Sequence, residues 1–105
     1  MTDKFNKFNK LDEGKTRWHL LPMGAVTKIV DVLEFGTKKH GLDNWKHGTK
    51  YSVYHDAALR HLFAWWEKED DDKESGLSHL AHAACCVLFL LYYQITGTGT
   101  DDRAK

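Results

Sequence analysis

Two histidines, His79 and His82, stand three residues apart in "DDKESGLSHLAHAACC", residues 71–86. On a helix this spacing puts both imidazoles on one face. It is a workable spacing for two ligands of one metal ion, as in the Glu-x-x-His pairs of di-metal bundles. A third ligand has three nearby sources: Asp72 and Glu74 in the acidic stretch just before, and His61 further upstream. Mixed carboxylate and imidazole donors suit Mg²⁺, Mn²⁺ or Zn²⁺, and the carboxylates weight the set toward Mg²⁺ and Mn²⁺. The competing reading is structural, with the imidazoles satisfied by hydrogen bonds in a polar seam.

Other residues are placed for anions or planar groups. Arg60, beside His61, lies in a stretch otherwise rich in Ala, Leu and Trp. It needs an anion, which is either a local carboxylate such as Asp56 or Glu67, or a phosphate. Lys38 and Lys39 complement a helix C-terminus and are equally suited to phosphate. Trp45 stands in the polar loop "GLDNWKHGTKYSV". It either packs back on the core or offers a stacking surface for a planar ligand such as a base. Cys85 and Cys86 are adjacent and cannot form an ordinary unstrained disulfide. They lie in an apolar run, where free cysteines behave as small hydrophobes. Neither a Walker A loop nor a nucleophile elbow is present.

The elements that must position these residues are helices. The chain has 105 residues, enough for one compact domain. Pro22 fits the first turn of a helix. Val26, Ile29, Val30 and Leu33 continue with helical spacing, and Gly41 after Lys38, Lys39 and His40 marks a stop. A second helix is expected from about His55 to Lys68, with Ala57, Ala58, Leu62, Trp65 and Trp66 on its apolar face. After the acidic turn "EDDDKES", a third helix is expected from Ser75 or Gly76, capped by Ser75, to about Thr96. Residues 1–16 read as a flexible arm, 17–96 as a single helical domain and 97–105 as a disordered tail. The expected fold class is all-α, a small bundle of three main helices completed by homo-oligomerisation.

The 15 basic and 15 acidic residues cancel, so no strong field favours a nucleic acid polymer or an anionic membrane. The apolar run "VLFLLYY" falls short of the roughly 20 residues a bilayer span requires. The N-terminal "MTDKFNKFNK" has no apolar signal-peptide core, and the paired free cysteines suit a reducing compartment. The expectations are no membrane partner, no nucleic acid partner and a cytoplasmic location.

The order of these motifs resembles a small family, the N-terminal domain of phage dATP/dGTP diphosphohydrolases. The matching pieces are "LLP" at 20–22, "LEFGTKKHG" at 33–41, "NW" at 44–45, "DAALRHLFAWW" at 56–66 and "DKESGLSHLAHAACC" at 72–86. The resemblance covers about residues 14–93 and is most specific from Arg60 to Cys86. It implies a MazG-like all-α nucleotide pyrophosphohydrolase that uses a divalent cation and water to cut a purine dNTP into dNMP and pyrophosphate, in the host cytoplasm if phage-encoded. By matching position, Arg60, His61, Asp72, Glu74, His79 and His82 fall on the family's polar motif. Because these polar residues share a location where the apolar pattern predicts burial, His61, Asp72, Glu74, His79 and His82 are expected at the metal and Glu74 and His79 in catalysis. Lys38, Lys39, Trp45 and Arg60 are expected at the substrate. One departure stands out. MazG-type sites pair Glu-x-x-Glu with Glu-x-x-Asp on facing helices, whereas here the second and third helices offer histidines. Asp31 and Glu34 form a single acidic pair on the first. The alternative is a nucleotide-binding protein without catalysis, a sponge for a nucleotide or a cyclic-nucleotide immune signal.

Overall fold

The computed structural model describes residues 13–104, so most of the expected arm lies outside the described residues. Three helices carry the fold: α1 (Met23–His40), α2 (Tyr51–Trp66) and α3 (His79–Thr96). Single 3₁₀ turns precede α1 and α2, at Trp18–Leu20 and Asn44–His47. Among the described residues there is no strand, only two isolated bridges, Lys50 with Thr100 and Asp71 with Ser78. The all-α reading therefore holds.

α1 begins directly after Pro22 and ends at Gly41, whose φ of 94° is a conformation few side chains tolerate. Lys38, Lys39 and His40 occupy its last turn, where cations complement the helix dipole. The helix runs through Gly36 without a break. α3 is the central element, with α1 and α2 both packed against it. Val32 of α1 meets Ala81 and Cys85 of α3, with Ile29, Leu33, Leu77 and Phe89 around them. α3 is apolar and long enough, by length and composition alone, to cross a membrane. Its small residues nonetheless form the domain's core: Ala81, Ala83, Cys85 and Cys86 are all buried.

Two helix starts differ from expectation. α2 begins at Tyr51, earlier than His55, although Lys50 provides no side-chain cap. The cap comes from far along the chain: Asp102 accepts from the Ser52 backbone N–H at 3.0 Å and from its hydroxyl at 2.5 Å. α3 begins at His79, and its cap is Ser78, which accepts from the N–H groups of Leu80 and Ala81. Ser75 has a different task, described below.

The described part of the expected tail makes backbone contacts. Residues 97–104 fold back on the start of α2, where the Tyr51 N–H donates to Thr100 and the Thr100 N–H donates to Thr49, at 2.9 and 3.1 Å. Gly99 makes this approach feasible. A Cβ there would lie 2.5 Å from the Thr49 carbonyl oxygen.

Candidate metal centre and adjoining cavity

His61 projects from the middle of α2, and His79 and His82 from the first turns of α3. The chain between the helices brings the acids to them. It turns sharply after α2, then runs antiparallel to its own return, with the Asp72 N–H donating to Leu77 and the His79 N–H to Asp70. Asp72 then accepts from the Ser75 N–H at 2.9 Å and from the Ser75 hydroxyl at 3.0 Å. Ser75 Oγ also lies 2.7 Å from His82 Nε2 and accepts from the Leu77 N–H. Ser75 thus ties the acidic loop to α3 rather than capping it.

The three imidazoles form one cluster. The rings of His61 and His82 are stacked, with centroids 4.5 Å apart and planes 8° from parallel. His61 Nδ1 and His79 Nδ1 are 2.9 Å apart. On the far side of its ring, His79 Nε2 is 2.8 Å from Glu69 Oε2. One ligand atom from each of His61, Asp72 and His79 lies within 4.8 Å of the other two. These are the three side chains that would hold a divalent cation here.

The electrostatics fit a cation. Burial pushes His61 below its ordinary value, and the neighbouring His82 and His79 push the same way. Burial also lowers His82, against the opposing pull of Asp72. For Asp72, burial alone would raise the carboxyl, but hydrogen bonds from Ser75 and the charges of His82 and His61 outweigh it, leaving the group below its ordinary value. Near neutral pH the cluster therefore holds neutral imidazole at His61 and His82 and an ionised Asp72. These are the protonation states that metal ligation demands.

His61, Asp72 and His82 line a cavity of about 400 Å³, together with Lys39, Trp45, Arg60 and Glu74. That size is at the small end for ligand sites. Phe35, Tyr54 and Phe89 give it an aromatic wall. Arg60 is exposed, and among the described residues it pairs with no carboxylate; Asp56 faces His55 instead. Lys39 donates to both oxygens of Glu74, at 2.8 and 2.6 Å. Trp45 packs on the core side, stacked on Phe89 at 4.7 Å and edge-on to Tyr92, while still contributing to the cavity wall.

Of the residues singled out from the sequence, His61, Asp72, His79 and His82 come together. Lys39, Trp45, Arg60 and Glu74 share the adjoining cavity. His79 sits behind it, buried, and Lys38 is exposed in the last turn of α1 and does not line it. Glu74 pairs with Lys39 and is not one of the His61–Asp72–His79 set. Glu69 and the contacts of Ser75 with Asp72 and His82 have no signal of their own in the sequence. Cys85 and Cys86 border the cavity with their thiols pushed up, by burial first, to about 12 and about 11. They present no thiolate at neutral pH.

Comparison with known proteins agrees with the motif order. The family described as dATP/dGTP diphosphohydrolase, N-terminal, matches residues 6–103. A protein named dATP/dGTP diphosphohydrolase from Salmonella phage PMBT28 is 34% identical over 94 residues, covering 90% of this chain. The match spans 32% of that relative, so the chain corresponds to about a third of its length. No solved structure matches. With the family match running across all three helices and the histidine cluster, the chain belongs to the dATP/dGTP diphosphohydrolase N-terminal family.

Proposed function

We propose that this domain binds a purine deoxynucleoside triphosphate in the cavity and hydrolyses it to the monophosphate and pyrophosphate, using a divalent cation held by His61, Asp72 and His79. The observation that carries this reading is the convergence of those three ligand atoms beside a cavity that Arg60 and Lys39 also line. A set of two imidazoles and one carboxylate leaves coordination positions open, and between the two expected cations it favours Mn²⁺ over Mg²⁺. When bound, such an ion supplies an activated water and offsets charge at the phosphate under attack.

The protein's own groups do the rest. Arg60 is available to a phosphate oxygen without first leaving a carboxylate. Lys39 can exchange Glu74 for phosphate at small cost, because an exposed ion pair is worth only about 0–1 kcal/mol. The exchange also releases Glu74 as a base in the cavity lining. Phe35, Trp45 and Tyr54 offer the base an apolar surface, and His82, held by Ser75, backs the ring of His61.

The test is incubation of pure chain with each dNTP and Mn²⁺ or Mg²⁺, followed by detection of dNMP and pyrophosphate. Turnover of a purine dNTP is expected, and loss of turnover with chelator. No turnover with any nucleotide removes the enzymatic reading.

A second reading is binding without catalysis. It is favoured by the match to only about a third of the phage relative, since hydrolysis can reside in the remainder of such a protein. Calorimetry with a nucleotide panel in chelator separates the two. Tight metal-free binding with the nucleotide recovered intact supports the sponge.

A further inference from the structure

His79 is 5% exposed, and both of its ring nitrogens face another side chain. Nε2 lies 2.8 Å from Glu69 Oε2, and Nδ1 lies 2.9 Å from His61 Nδ1. An ionised carboxylate can only accept. The proton in the first contact therefore sits on Nε2, and in that tautomer the Nδ1 lone pair is turned toward His61.

Glu69 reaches this place by backbone geometry. The Lys68 N–H donates to the Trp65 carbonyl and the Glu69 N–H to the Ala64 carbonyl, both at 3.0 Å. Lys68 itself takes the left-handed conformation, with φ 73°. This hydrogen-bond pair is the Schellman ending of a helix, and it sends the chain back across the start of α3. The acids of the following run then take separate partners: Glu69 meets His79, Asp72 meets Ser75, and Glu74 meets Lys39.

We infer that Glu69 is a positioning residue of the metal centre, one that fixes the Nε2–H form of His79 and thereby aims Nδ1 at the ion. The inference rests on the metal reading proposed for the site. Carboxylates placed behind a ligating histidine set its tautomer and raise its basicity, and their loss typically weakens metal binding by about 10–100-fold.

The experiment compares the whole chain with its Glu69→Ala and Glu69→Gln variants. Glu69 is half-exposed at the start of a loop, and thermal melts check that each variant folds. Two quantities are read: Mn²⁺ affinity by calorimetry, and the protonated nitrogen of His79 by ¹⁵N NMR on metal-free protein. In wild type the proton is expected on Nε2. Glu69→Ala should weaken Mn²⁺ binding about 10–100-fold and redistribute the His79 proton. Glu69→Gln keeps an acceptor oxygen, so it should retain the tautomer and lose less affinity. A wild-type His79 protonated on Nδ1, or a Glu69→Ala variant with unchanged tautomer, overturns the inference. So does wild-type Mn²⁺ affinity in Glu69→Ala. If wild type takes up no Mn²⁺, the metal reading fails by itself. The tautomer comparison then decides alone whether Glu69 sets the orientation of His79.

Discussion

The Nδ1 atoms of His61 and His79 face each other at 2.9 Å across the α2–α3 contact. Two imidazole lone pairs cannot meet at that distance unaided; either a proton on one nitrogen or a cation between them must hold the pair. The contact therefore has a structural use without metal and, under the proposed function, a ligating use with it, and substitution at the two positions separates these. His61→Ala removes a half-buried ring from the cavity wall and should cost about 1 kcal/mol of stability. His79→Ala empties a buried position and abandons both hydrogen bonds, at about 2–3 kcal/mol. Both should abolish Mn²⁺ binding in calorimetry. If both lose stability while wild type is not stabilised by Mn²⁺ or any nucleotide in a thermal melt, the cluster is a structural seam only.

Ser75 gives a second prediction. Its hydroxyl contacts Asp72, His82 and the Leu77 N–H. Ser75→Ala should cost about 1–2 kcal/mol in urea unfolding and weaken Mn²⁺ binding by loosening Asp72. A variant with wild-type stability and affinity would show that the loop holds Asp72 without it.

How much of this was legible in the sequence depends on where each signal resides. α1 was readable because its signals are local, with Pro22 at the entry and three cations then Gly41 at the exit. The start of α2 carries no local signal because its cap, Asp102, arrives from 50 residues away. The tail shows the complementary case: "GTGTDD" is a loop composition, and its contacts are with Thr49, Tyr51 and Ser52 at the start of α2. Ser75 and Ser78 are equivalent N-cap types, and only the loop's path assigns the cap to Ser78. In the site, His61, Asp72, His79 and His82 could be picked by residue type. Glu69 could not, because one acid among several in "EDDDKES" gains its role from the left-handed turn at Lys68.

Gly36 separates fold from cavity. It lies within α1, lines the cavity, and a Cβ there would meet nothing within 4 Å. Replacing a helical glycine by alanine stabilises by about 0.5–1 kcal/mol where space allows. Gly36→Ala should raise the melting temperature of the free protein. If the cavity takes the nucleotide, the added methyl group should also weaken nucleotide binding in calorimetry. Unchanged affinity in a stabilised variant would place the nucleotide elsewhere.

The buried thiols predict an alkaline limit. Cys85 and Cys86 are pushed up to about 12 and about 11, by burial first. In the unfolded chain both thiols ionise near their ordinary value of 9.0. Between these values the unfolded chain binds fewer protons than the folded one, so stability falls as pH rises from about 9. Urea midpoints measured from pH 7 to 10.5 should decline above pH 9, and the decline should shrink in Cys85→Ala/Cys86→Ala. Thiol reagents at pH 8 should react no faster than the protein opens.

The outer faces of the helices bear on self-association. α3 has a second apolar stripe turned away from the core: Leu80, Val87, Leu91 and Ile95 are 42, 57, 49 and 75% exposed. Phe63 and Trp66 of α2 are exposed as well, at 64 and 76%. Val87 and Leu91 also line an open apolar groove with Tyr51 and His55. Apolar surface on this scale, against a core built mainly from alanine and cysteine, is a poor state for a lone domain. α3 has no Asp, Glu, Lys or Arg to oppose a second copy. Sedimentation equilibrium should therefore give a dimer or larger assembly at tens of micromolar. Leu91→Lys, which changes an exposed position, should shift it toward monomer with little change in helicity. A wild type that stays monomeric at millimolar concentration would refute self-association through this face. If Leu91→Lys also lowers Mn²⁺ affinity, the assembly supports the site as well as covering the stripe.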